Sequence, residues 1–178
     1  MGEKAADVEN ILDGREERFS LQKELLAQYC CPVVSATVNY PGPVKNDAVA
    51  GIIFKEMVSA IRQLPLENIT MGVNGAGAYL MATTKVSAIE IKKQAMEIEK
   101  NHKLGRLFDI DVIDYPYRKI SRADIDNEAR PCIICNDDFR VCIRAGRHTV
   151  EALRDKICLI TEVYLLERNR KKTGGTDQ

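Results

Sequence analysis

Between residues 33 and 114 the apolar positions switch between a spacing of two and a spacing of 3.6, and the order of those switches admits few folds. Val33 to Tyr40 is rich in β-branched residues and alternates. Val34, Ala36, Val38 and Tyr40 face one way; Val33, Ser35, Thr37 and Asn39 face the other. From Ala48 to Gln63, the residues Val49, Ile52, Ile53, Met57, Ala60 and Ile61 keep helical spacing, which Leu64 continues. Residues 66–73 read as a strand, Asn74-Gly75-Ala76-Gly77 as a turn, and 78–83 as its partner. Residues 85–100 read as a second helix, and after Gly105 residues 107–114 form a last strand. Strand, helix, strand, strand, helix, strand is the split βαβ, ferredoxin-like order. It predicts an α+β fold whose first and last strands lie side by side in an antiparallel sheet.

Helices flank this core. Leu12, Leu21, Leu25 and Leu26 set an apolar stripe on a helix from Ala6 to Tyr29, which Cys30-Cys31-Pro32 ends. Thr149 to Leu166 is helical again, and the basic, then Gly-rich tail from Glu167 is expected to fray, most of all over 168–178. Residues 115–146 read as irregular. The 178 residues suit one domain spanning 1–178.

Lys plus Arg equals Asp plus Glu, 26 of each, so the chain lacks the broad positive field of a non-specific nucleic-acid binder. No apolar run reaches the length of a membrane span, and residues 1–10 are polar rather than leader-like. A cytoplasmic protein is expected, with its six cysteines reduced.

The stretch Gly105-Arg-Leu-Phe-Asp-Ile-Asp-Val-Ile-Asp114 carries the most chemistry. On a strand, Phe108, Ile110 and Val112 share one face, and Asp109 and Asp111 share the other. Two carboxylates so placed repel unless a cation joins them, and Mg²⁺ takes one or two carboxylates together with substrate phosphates. The pattern suits phosphoryl or nucleotidyl transfer; ordinary acids on a solvent-facing edge strand give the same pattern. Beside the first strand this face would gain Ser35, Thr37 and Asn39. Arg106 lies within reach of a phosphate there.

Other candidates are weaker. Pro41-Gly42-Pro43-Val44-Lys45 joins the polar-faced strand to a helix N-terminus, where anions are favoured, but lacks the Gly-Lys-Ser/Thr of a Walker loop. Arg15 and Arg18 share a helix face and suit a polyphosphate, or solvent. His102, just before Gly105, suits a base or a phosphate ligand; Ser121, Arg122 and Arg130 suit phosphate. Cys132-Ile-Ile-Cys135 with Cys142 and His148 gives the four soft ligands of a structural Zn²⁺ site, or a set of reduced thiols.

Five stretches, in order, resemble the holo-citrate-lyase synthase family, also called apo-citrate lyase phosphoribosyl-dephospho-CoA transferase. They are Leu12-Asp-Gly-Arg-Glu-Glu-Arg18, Val34-Ser-Ala-Thr-Val-Asn-Tyr-Pro-Gly-Pro-Val-Lys45, His102-Lys-Leu-Gly-Arg-Leu-Phe-Asp-Ile-Asp-Val-Ile-Asp114, Ser121-Arg122, and Arg130-Pro-Cys-Ile-Ile-Cys135 with Cys142, Arg144 and His148. Where the family tends to have Pro after the His, this chain has Lys103. The resemblance implies a donor, triphosphoribosyl-dephospho-coenzyme A, and an acceptor, a serine of the apo acyl carrier subunit of citrate lyase. The serine hydroxyl attacks the α-phosphorus and pyrophosphate leaves. Joined to the residue-level reading, it implies Mg²⁺ on Asp109 and Asp111, with Lys45, Arg106, Arg15 and Arg18 on phosphate oxygens. His102 or Asp114 would take the serine proton. Two other functions fit parts of the pattern: a polymerase-β-type nucleotidyltransferase with another acceptor, whose usual Gly-Ser element this chain lacks, and a zinc-stabilised RNA- or protein-binding adaptor.

Overall fold

The computed structural model describes residues 8–125 and 130–173. The elements are α1 (Val8–Tyr29), β1 (Val33–Val38), α2 (Ala48–Ile61), β2 (Glu67–Asn74), β3 (Gly77–Thr83), α3 (Ala88–Asn101), β4 (Phe108–Asp114), β5 (Arg118–Ile120), α4 (Phe139–Arg144) and α5 (Val150–Thr173). The strands form one antiparallel sheet in the order β2-β3-β1-β4-β5. The predicted neighbours β1 and β4 do pair, antiparallel, with Ser35 opposite Asp111 and Thr37 opposite Asp109.

The two sheet faces differ because the strands alternate. Val34, Ala36, Leu80, Ala82, Phe108, Ile110 and Val112 face a large apolar core shared with Ile53, Met57 and Ile61 of α2, Ile91 and Ala95 of α3, and Ile157 of α5. The other face has a smaller apolar end, where Leu25 and Leu26 of α1 cover Val33, Tyr79, Met81 and Ile113. Its remaining part is the polar strip of Ser35, Thr37, Asp109 and Asp111.

Glycine sets how α1 lies on that face. A Cβ at Gly14 would stand 2.6 Å from Asn74 Oδ1 and 2.8 Å from the Ala76 nitrogen. The missing side chain lets the helix rest on the β2–β3 turn, where Asn74 Nδ2 donates to the Gly14 carbonyl at 2.9 Å. The same helix brings Arg18 within electrostatic reach of Asp109 on the polar strip.

Three elements depart from the sequence expectation. The segment after β4 turns back as β5, and α4 interrupts the stretch read as irregular. α5 continues to Thr173 instead of fraying from Glu167, because Glu167 pairs with Lys103 and Arg168 with Glu56. Residues 174–178 of the expected tail lie outside the described residues. No helix among the described residues is long and apolar enough to cross a membrane.

Candidate functional site

Asp109 and Asp111 project from β4 to the same face. Asp111 Oδ2 accepts from Lys119 Nζ of β5 at 2.6 Å, and Asp109 Oδ1 lies 3.7 Å from Arg130 Nη1. Burial, then the like charge of Asp111, hold the Asp109 carboxyl above its ordinary range. Burial works against the Lys119 ammonium, but its bond to Asp111 outweighs that and raises it.

A cluster of cations includes one, Arg18, that reaches the strip. Burial and Arg15 lower the basicity of Arg18, which also feels Asp109; burial, Arg15, Arg154 and Arg18 lower that of Lys45. Arg18 Nη1 is buried without a hydrogen-bond partner. A buried donor left open is costly, and an anion removes the cost. Lys45 Nζ meanwhile donates to the Tyr40 carbonyl at 2.5 Å. Its loop is tied down by Asp47, which caps α2 by accepting from the Ala50 nitrogen at 2.8 Å and takes the Tyr40 hydroxyl at 2.6 Å.

The face is not open throughout, as the sequence suggested. Ser35 is buried beneath α1, and its hydroxyl accepts from Gln22 Nε2 at 3.1 Å. Gln22 Oε1 in turn accepts from the Tyr117 hydroxyl at 2.9 Å, and Phe19 packs edge-on against Tyr117 with ring centroids 5.1 Å apart. Ser35 therefore anchors the helix. Gly42, at φ 84°, leaves room for Val150, and a Cβ on Gly105 would strike the Glu99 carbonyl at 2.3 Å. Both glycines are required by packing.

The remaining predicted residues gather around the outer edge of β4. Gly105, Arg106, His102, Arg122 and Arg130 line a cleft of about 610 Å³. At its centre the Glu99 carboxylate, 3% exposed, binds Arg122 and Arg130 and accepts from the Ile110 nitrogen at 3.0 Å. Arg130 thus reaches from the cleft to Asp109 and joins the two groups. Burial and the charge of Arg130 lower the basicity of Arg106, whose Nη1 is a second buried donor without a partner. His102 stacks on Phe108 and Tyr164, with centroids at 4.8 and 5.5 Å. It lies on the core side of the sheet, away from Asp109 and Asp111, and burial lowers its pKa. Asn39 and Arg106 border a further cavity of about 320 Å³, whose walls include Ile133, Phe139, Ile143 and Leu153.

Cys132, Cys135, Cys142 and His148 also converge, with one ligand atom from each lying within 4.8 Å of all the others. That set is compatible with a structural Zn²⁺ ion.

Sequence reasoning missed Glu99, Lys92, Lys119 and Gln22. For Glu99 and Lys92 a signal existed: both fall on the stripe of α3 that carries Ile91, Ala95 and Ile98, where a charge has to be paired. For Gln22 and Lys119 no such signal was present.

Comparison with known proteins adds an independent line. The sequence model of a family described as apo-citrate lyase phosphoribosyl-dephospho-CoA transferase matches residues 6–164. A Vibrio cholerae serotype O1 protein named "Probable apo-citrate lyase phosphoribosyl-dephospho-CoA transferase" is 34% identical over 168 residues, covering 90% of this chain and 94% of the relative. Proteins named apo-citrate lyase phosphoribosyl-dephospho-CoA transferase from Escherichia coli O7:K1 and Shigella flexneri serotype 5b are 32% and 31% identical, each over 86% of this chain and 87% of the relative.

Proposed function

We propose that this chain, which belongs to the apo-citrate lyase phosphoribosyl-dephospho-CoA transferase family, moves phosphoribosyl-dephospho-CoA from triphosphoribosyl-dephospho-CoA to a serine of the apo acyl carrier subunit of citrate lyase. Pyrophosphate is the leaving group, and the chemistry is of the nucleotidyltransferase type. The reaction belongs in the cytoplasm, where the six free cysteines stay reduced.

The observation that carries this reading is the placement of Arg18. Its buried, unpartnered Nη1 belongs to a guanidinium that feels the charge of Asp109 on one side and those of Arg15 and Lys45 on the other. Cations that weaken one another favour a polyanion, and paired acids beside them favour a divalent cation. The triphosphate of the donor meets both conditions.

Asp109 and Asp111 fit Mg²⁺. Burial first, and then the like charge of Asp111, raise the Asp109 carboxyl against the pull of Arg130 and Lys119, and a divalent ion relieves the like-charge part. When bound, Mg²⁺ would neutralise charge on the phosphate oxygens. Arg15, Arg18 and Lys45 hold the triphosphate from the α1 side and stabilise the charge that grows on pyrophosphate. Arg106, Arg122 and Arg130 hold anionic groups of the donor in the cleft, with Arg130 kept beside Asp109 by Glu99. His102 belongs with that cleft as a donor contact, because its place across the sheet from Asp109 does not suit a base for the serine.

The test is a mass shift on apo carrier protein incubated with the donor and Mg²⁺. Transfer that disappears in Asp109→Asn and in Asp111→Asn is the expected result. The proposal fails if both variants keep wild-type turnover, or if ordinary nucleoside triphosphates serve and the phosphoribosyl donor does not.

A further inference from the structure

Residues 131–149 fold without an apolar core of their own. Within that stretch only Cys132 and Cys142 are buried, while Ile134, Val141 and Ile143 are 37%, 44% and 70% exposed. A segment this poor in burial needs another staple.

The backbone is shaped around the sulfurs. The N–H groups of Ile134 and Cys135 donate to the Cys132 sulfur. Asn136, at φ 64°, turns the chain after the second cysteine, and its nitrogen donates to the Cys132 carbonyl at 3.1 Å. A second tight turn follows Cys142: Gly146 takes φ 57°, and the Arg147 nitrogen donates to the Cys142 carbonyl at 3.1 Å. These two turns bring Cys135 Sγ to 3.4 Å from Cys142 Sγ, and His148 Nε2 to 3.4 Å from Cys135 Sγ. A tetrahedral ion with bonds of about 2.3 Å to sulfur and about 2.0 Å to nitrogen needs ligand atoms roughly 3.5–3.8 Å apart. No pair of the four exceeds 4.8 Å.

We propose that Cys132, Cys135, Cys142 and His148 bind one Zn²⁺ ion, and that this closed four-ligand site staples residues 131–148 to the rest of the fold. Four protein ligands leave no open position, so the ion is structural. The staple sits next to two arginines of the cleft. Arg130 and Pro131 immediately precede the first ligand; Arg106 Nε donates to the Pro131 carbonyl at 2.5 Å, and the Arg106 guanidinium lies 5.3 Å from the centre of the Phe139 ring. The ion therefore positions Arg130 and Arg106, a consequence for turnover that rests on the reaction proposed above. The ion site itself does not rest on it.

The test is metal analysis of the full chain purified under reducing conditions without chelators. Wild type is expected to carry about one zinc per chain. His148→Cys is expected to keep it, and Cys135→Ser with Cys142→Ser to lose it. Exchange with Co²⁺ is expected to give the visible absorption of a tetrahedral thiolate complex. Wild type with all thiols reduced, little zinc and no cobalt spectrum would overturn the site, as would an iron–sulfur chromophore in the isolated protein. If the double serine variant fails to fold, the wild-type and His148→Cys measurements still decide. Zinc without prosthetic-group transfer keeps the site and removes the reaction; transfer by a zinc-free wild type does the reverse.

Discussion

The Ile110 backbone nitrogen donates to the Glu99 carboxylate at 3.0 Å, so an acid of α3 closes the edge of β4 that β5 does not reach. Lys92 completes the closure by donating to the Ile110 carbonyl at 2.7 Å. The same carboxylate holds Arg122 and Arg130. Glu99→Gln keeps an acceptor for Ile110 but takes the buried counter-charge from Arg122 and leaves Arg130 with Asp109 at 3.7 Å. Breaking a buried pair in this way costs about 3 kcal/mol. Urea unfolding at neutral pH is the measurement, with a fall in transfer rate expected alongside as Arg130 loses the carboxylate that fixes its position in the cleft. A loss well below about 1 kcal/mol would mean that solvent already compensates these charges.

Arg18 gives the opposite pattern. Its unpartnered Nη1 already costs the folded chain, so Arg18→Leu is expected to leave stability unchanged or raise it by about 1 kcal/mol. The lost charge-assisted contact is worth about 1.5–3 kcal/mol, which raises the KM for the donor by roughly 10- to 100-fold. Thermal unfolding and donor titration separate the two effects. A variant that is destabilised yet keeps its KM would make Arg18 a packing residue.

The difference between these two arginine settings shows what the sequence could disclose. Alternation alone put Asp109 and Asp111 on one face and Phe108, Ile110 and Val112 on the other, since a strand's period is fixed by its backbone. The β1–β4 pairing followed from the order of elements. Alternation says nothing about what covers a face, so Ser35 read as open although α1 lies over it. Strand β5 is three residues long, too short to show a period, and its Lys119 went unseen. Glu99 showed as a charge on a buried stripe, but its partners lie 23 and 31 positions along the chain, and local spacing carries no record of them.

Asp47 ties the Lys45 loop to α2 and α5. It caps α2, accepts from Tyr40 and binds Arg154, with only 6% of its side chain exposed. Burial and the bond to Asp47 push the Tyr40 hydroxyl above its ordinary range. Asp47→Ala removes a cap worth about 1 kcal/mol and takes the carboxylate from Arg154, which keeps its bonds to the Val44 carbonyl and the Tyr40 hydroxyl, for a total of about 2–3 kcal/mol. Asp47→Asn keeps the cap and loses less. Urea unfolding of both variants checks the order. The donor KM is expected to rise in the alanine variant as the Lys45 loop loosens; equal stability in the two would remove the charge of Asp47 from this account.

Asp109 links pH to both stability and turnover. Burial first, then Asp111, raise its folded pKa above the unfolded value, so the native chain binds this proton more tightly. Between the two pKa values the native state carries more proton, and stability falls as pH rises through that window and stays lower above it. Asp109→Asn removes this penalty at neutral pH. Since the side chain is 45% exposed, solvent screening keeps the gain small, no more than about 3 °C in Tm. The same change is expected to lower transfer by more than about 100-fold. Scanning calorimetry at neutral and acidic pH tests the first part: the two proteins should converge in acid, where the wild-type carboxyl is neutral. The acid limb of the wild-type rate should lie above the ordinary aspartate range and shift down as Mg²⁺ rises, because a bound cation favours the ionised form. A limb that ignores Mg²⁺ would take Asp109 out of the cation site.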